Sequence, residues 1–159
     1  MEKDKLQEYA TRVSQANKSE LVVIMMEAIL DSLEDGKKCL QEENMEKCRS
    51  ELNRARGLIT ELMGSLDFSI EISHYLRQLY IFSYREICQG IATRDSSRFD
   101  NAAKVISGLL VGFREVAHED NTGPVMGNTE AIYAGMTYGR SSLNEMVDID
   151  VNKTRGYKA

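Results

Sequence analysis

Proline is almost absent from this chain: Pro124 is the only one in 159 residues. Turns recruit proline, so its scarcity excludes most loop-rich and many-turned β architectures. Tryptophan is missing altogether. The three cysteines, Cys39, Cys48 and Cys88, are odd in number and form no Cys-x-x-Cys pair. That argues against a disulfide scaffold and suits a reducing cytoplasm. Basic residues are not in excess, and the formal net charge of −5 offers no footprint for nucleic acid. There is no run of 18 apolar residues, so no membrane span is expected. The opening Met1-Glu2-Lys3-Asp4-Lys5 is charged and leads into no apolar signal core. Neither a Gly-x-x-x-x-Gly-Lys phosphate loop nor a Gly-x-Ser-x-Gly elbow occurs, and no cofactor is expected.

What is present is helical. Apolar residues make up 42% of the chain, enough for one core. Four segments carry apolar residues at steps of three and four. The first holds Val22, Met26, Ile29, Leu33, Gly36 and Leu40; the second Cys48, Leu52, Ala55, Ile59, Leu62 and Leu66. The third holds Ile72, Leu76, Leu79, Tyr84, Ile87 and Ile91; the fourth Phe99, Ala102, Ile106, Leu109, Phe113 and Val116. Such spacing places one stripe on one helix face, whereas strands would alternate with period two. Asn17-Lys18-Ser19-Glu20 resembles a capping box at the start of the first helix. Glu42-Glu43-Asn44, Asp67-Phe68-Ser69 and Arg94-Asp95-Ser96-Ser97 separate the four, with Asp67 or Ser69, and Asp95 or Ser96, as N-caps.

Matched helices of about 22 residues, roughly 33 Å each, joined by short loops, predict an all-α fold. The expected form is an antiparallel up-down-up-down four-helix bundle with a short N-terminal arm and an irregular C-terminal tail. The arm carries Leu6, Tyr9 and Val13 at helical steps. The bundle with its arm is placed at 1–118 and the extension at 119–159. Five of the eleven glycines lie beyond position 120, yet this tail keeps Ile132, Tyr133, Met136, Tyr138, Leu143, Met146 and Val147. Ser141 to Val147 is read as a possible short helix, and the tail as a candidate occupant of a groove on the bundle.

Two helices carry more apolar surface than a bundle core uses. Leu21-Val22-Val23-Ile24-Met25-Met26 and Leu79-Tyr80-Ile81-Phe82 are apolar all round. Such a ring is either covered by the chain's own flanks or awaits a partner, including a second copy of the chain in a homodimer. A competing chemical reading starts from the two histidines. Glu71-Ile72-Ser73-His74 and Glu115-Val116-Ala117-His118 are a pair of Glu-x-x-His motifs at one end of the bundle, near Glu20 and Glu61. Such pairs build dimetal carboxylate sites, which makes an oxidoreductase the alternative function. Helical phase opposes it: His74 lies two residues from both Ile72 and Leu76, away from the stripe, so no metal site and no catalytic residue are expected.

Several stretches resemble the flagellin-specific secretion chaperones of bacteria. Val13-Ser14-Gln15-Ala16-Asn17-Lys18-Ser19-Glu20-Leu21 is similar to that family's entry to its first long helix, with Lys18 in place of proline. Ile59, Glu61, Leu62, Ser65 and Leu66 match a second stretch, and Leu79-Tyr80-Ile81-Phe82-Ser83-Tyr84-Arg85 a third. Leu109-Leu110 and Phe113-Arg114 complete the likeness, which covers about residues 9 to 118. The resemblance implies a cytoplasmic, non-enzymatic export chaperone. Its partner would be the disordered C-terminal segment of flagellin, held as helices in apolar grooves against premature polymerisation, with the N-terminal arm able to occupy part of the site. On this reading Tyr9 and Val13 form the arm, and Ile24, Met25, Tyr80, Ile81 and Tyr84 line the groove.

Overall fold

The computed structural model describes residues 1–125. They form five α-helices: α1 (Lys3–Gln15), α2 (Lys18–Gln41), α3 (Met45–Gly64), α4 (Glu71–Thr93) and α5 (Ser97–Glu119). The described residues contain no strand. The short arm is thus a full helix of 13 residues. The tail beyond Val125, including the short helix expected at Ser141 to Val147, lies outside the described residues.

The local chemistry at the helix starts explains several boundaries. Asn17 accepts from the Glu20 N–H at 2.9 Å, and the Glu20 carboxylate accepts from the Asn17 N–H at 3.0 Å, closing the expected capping box. Asn44 caps α3 by accepting from the Lys47 N–H. At α4 the expectation fails: the N-cap is Ile70, whose hydrocarbon side chain has no acceptor to offer. Asp67 instead accepts from the N–H and hydroxyl of Ser69, a local turn that competes with capping. Before α5 Asp95 makes the same turn with Ser97, and the expected Ser96 is the N-cap, without a side-chain capping bond.

The helix α2 lies at the middle of the packing. It contacts α3 and α5, carries α1 on its outer side, and α4 closes against α3 and α5. This position explains why α2 is apolar all round: Leu21, Val23, Ile24, Met25, Met26, Ala28 and Ile29 are all buried. The core continues through Leu52, Ala55 and Ile59 on α3, Leu76, Tyr80 and Ile87 on α4, and Phe99, Ala102, Ile106 and Leu110 on α5. Buried carboxylates are paired, as burial demands. Glu86 accepts from Arg98 at 3.0 Å and Asn101 at 2.9 Å. Glu51 meets Arg54 and the N-terminal ammonium group.

The phase of α4 differs from the expected stripe. Its inner face is Ser73, Leu76, Tyr80, Ser83, Ile87 and Gly90, whereas Ile72 is 62% exposed. Both faces repeat at steps of three and four. The inner face carries the buried serines Ser73 and Ser83 and, where Phe99 of α5 packs closest, Gly90; the Ser83 hydroxyl is satisfied by the Leu79 carbonyl at 3.0 Å. Likewise α5 buries Leu110 and leaves Val116 exposed.

Candidate functional site

The seven residues expected to hold a partner fall in four separate places. Tyr9 and Val13 are buried on α1. The Tyr9 hydroxyl donates to Asp31 on α2 at 2.5 Å, and burial first, then this bond, pushes the phenol well above its ordinary pKa. It therefore remains a donor throughout the physiological range. Further ion pairs fix α1: Lys5 to Asp31 at 2.8 Å, and Arg12 to Glu27 at 2.6 Å. Glu27 also takes Arg114 of α5 at 3.1 Å, so one carboxylate links three helices.

Ile24 and Met25 are buried on α2. Ile24 helps line a cleft of about 390 Å³ with Arg12, Gln15, Glu20, Val23, Arg114 and Ala117, where α1, α2 and α5 meet. Ile81 and Tyr84 stand elsewhere, half-buried, lining a cleft of about 310 Å³ between α3 and α4 with Thr60, Met63 and Arg85.

Tyr80 belongs to neither cleft. It is 1% exposed and lies in the core, where burial raises its hydroxyl pKa to about 12. The expectation that it lines a surface groove is corrected by its phase: Tyr80 is four residues from Leu76 and seven from Ile87, both on the inner face.

The apolar surface that sequence reasoning misassigned is the edge of α4 toward α5. Ile72, Tyr75, Leu79 and Phe82 repeat at steps of three and four, continuing to Glu86, which bonds Arg98 and Asn101 of α5. On α5 the matching edge runs from Arg98 and Asn101 through Val105 and Gly112 to Val116. The seam is closed at the Glu86 end and open at the other. There Tyr75 is 69% exposed and Val116 53%, with Phe68 and Ile70 of the α3–α4 loop also exposed. A methyl group added at Gly108 or Gly112 of α5 would meet nothing within 4 Å. The signal in the sequence was the second apolar stripe on the third long helix, interleaved with the serine-bearing one.

The dimetal alternative finds no support. Glu71, His74, Glu115 and His118 are all exposed, and the His74 ring lies against Phe68 at 5.3 Å. Among the described residues no group of three or more His, Cys, Asp or Glu side chains is placed to hold a metal ion. No helix of the described residues is long and apolar enough to cross a membrane.

No curated protein matches the chain. The family described as flagellar protein FliS matches residues 2–120, the whole five-helix body. That match, with the helical fold and the ordered helix-entry and core motifs, places the chain in the FliS family, the flagellin-specific export chaperones.

Proposed function

We propose that this chaperone binds the disordered C-terminal segment of flagellin in the cytoplasm, keeps it from polymerising and delivers it for export, without catalysing a reaction. The observation that carries this reading is the open α4–α5 seam, an apolar edge with Ile72, Tyr75 and Phe82 on one wall and Val116 on the other. Large contiguous apolar surface of this kind marks an interaction site. A flagellin segment that folds as helices along such grooves must recover roughly 2–5 kcal/mol of ordering cost, which buried aromatic and aliphatic side chains supply.

In this reading α1 is a displaceable arm. It is held by two buried side chains, Tyr9 and Val13, and by ion pairs that water can replace. Its departure would uncover Ile24 and Met25 on α2 for the same partner, while Ile81 and Tyr84 offer a further contact between α3 and α4. The four long helices run up-down-up-down, with 1–118 the chaperone body and 119–159 an extension. Two pairings support that topology: late α2 meets early α5 at Lys37–Asp100, 2.7 Å, and early α2 meets late α5 at Glu27–Arg114. A homodimer through the open seam is the competing use of the same surface.

Titration calorimetry with a flagellin C-terminal peptide tests the reading. Tyr75→Asp places a charge on an exposed position, so the helical signal stays unchanged. Loss of a buried tyrosine contact should weaken binding about tenfold to a hundredfold. Unchanged affinity would remove the seam from the binding site, and a wild-type chain that ignores the peptide would overturn the function.

A further inference from the structure

In a chain of net charge −5, one seam gathers cations and, among the described residues, no carboxylate. Along α3, the edge toward α4 carries Arg56, Thr60 and Met63, with Arg49 two turns before Arg56; along α4, the facing edge carries Ile81, Tyr84, Arg85 and Cys88, with Arg77 one turn before Ile81. None of these four arginines has an ion pair among the described residues. Arg56 is the most telling. Its guanidinium lies over the Tyr84 ring at 5.4 Å and donates one hydrogen bond, to the Cys88 sulfur at 3.3 Å. A thiol is a weak acceptor. Its Nε is buried with no partner among the described residues. A half-buried guanidinium normally takes a carboxylate, since desolvating an unpaired charge is costly. The ligand this cleft fits is therefore an apolar segment bearing carboxylates.

The chain contains one. From Ser141 to Asn152 it carries Glu145, Asp148 and Asp150 among apolar residues such as Leu143, Met146 and Val147, with no lysine or arginine. We propose that residues 143–151 dock in the α3–α4 cleft, their carboxylates meeting Arg56 and Arg85 and their apolar side chains covering Met63, Ile81 and Tyr84. The geometry of attachment permits it. The chain leaves the bundle at Val125, whose N–H donates to the Ala16 carbonyl at 3.1 Å, so the segment is tethered at the end where α3 finishes and α4 begins. Residues 126–142 intervene, and fully extended they reach about 55 Å, well beyond the roughly 30 Å length of α3. Tethering makes the encounter intramolecular, with an effective concentration of order millimolar.

Zero-length carbodiimide coupling of the full chain tests this without flagellin. The variant Arg85→Lys keeps the charge on an exposed position and supplies an amine. The expected result is an amide between position 85 and Glu145, Asp148 or Asp150, found by peptide mass spectrometry in monomer-sized protein. Its yield should be unchanged on dilution and reduced by high salt. The native Lys104 of α5, outside the cleft, should couple little to the tail. Combining Glu145→Gln, Asp148→Asn and Asp150→Asn should abolish the product. Absence of the amide, equal coupling at Lys104, or product confined to dimers would each overturn the docking and leave the flagellin reading untouched.

Discussion

Two helical glycines mark opposite conditions in this bundle. At Gly90 on α4, an added methyl group would run into the Phe99 ring, with Cδ1 at 2.9 Å. The missing side chain there lets α5 approach, and the aromatic ring fills the space. At Gly57 on α3, nothing lies within 4 Å of the same added group. Glycine costs about 1 kcal/mol relative to alanine inside a helix, so the two positions should answer oppositely to one substitution. Gly57→Ala should raise stability by about 0.5–1 kcal/mol. Gly90→Ala should lower it by about 1–3 kcal/mol through overpacking against Phe99. Urea denaturation of both variants checks the pair, and a stabilised Gly90→Ala would contradict the tight α4–α5 approach. No composition or propensity argument separates these glycines, because the difference lies wholly in a neighbouring helix.

At the scale of elements, the short strap after α5 ties the end of that helix to the start of α2. Asp120 accepts from the Ser19 hydroxyl at 2.5 Å and from the hydroxyl and N–H of Thr122. Asn17, besides capping α2, donates to the carbonyls of Asp120 and Thr122 at 3.2 and 3.4 Å. The Ser19 bond, then those from Thr122, hold the Asp120 carboxyl down at a pKa of about 2. Because the folded value lies below the unfolded one, near 3.9, the charged form stabilises the fold at neutral pH. That contribution is complete above about pH 4 and is lost as pH falls through about 2. The melting-temperature difference between the native chain and Asp120→Asn should therefore be constant near neutrality and shrink between pH 4 and pH 2. A difference that does not change with pH would place the strap's hold on other groups. The helix starts were legible where a side chain caps its own helix, as at Asn17. At α5 the expected Ser96 is the N-cap, without a side-chain capping bond; at α4 the expectation failed, because Asp67 turns onto Ser69 and Ile70 takes the N-cap.

For the whole molecule, Tyr75 and Tyr80 on α4 separate binding from folding. Both are tyrosines on one helix, five residues apart, yet one is 69% exposed and the other 1%. Tyr75→Asp should leave the helical signal intact. Tyr80→Asp would bury an unpaired carboxylate in the hydrophobic core and remove a large core side chain, at a cost of about 4 kcal/mol or more. It should therefore unfold a substantial share of the protein, seen as lost far-ultraviolet ellipticity at 37 °C, rather than act on partner binding alone. A Tyr80→Asp variant with native ellipticity and melting temperature would mean that α4 sits in another phase. The apolar ring on α2 raised the same question and received the other answer, since α1, α3 and α5 together cover it.

The sequence by itself determined five things: helical class, the four long helices, the first cap, most of the α2 and α3 stripes, and the family. The first four depend on interactions within one helix or its ends, where spacing of three and four and a few capping residues carry the information. Only the tertiary structure decided which of two equivalent stripes on α4 turns inward, that the arm is a docked helix, and that the expected site residues occupy four places. Those outcomes depend on close packing between helices far apart in sequence. Ser73, Ser83 and Gly90 face inward on α4 because small residues let neighbouring helices approach, leaving the larger Ile72, Tyr75 and Phe82 outside.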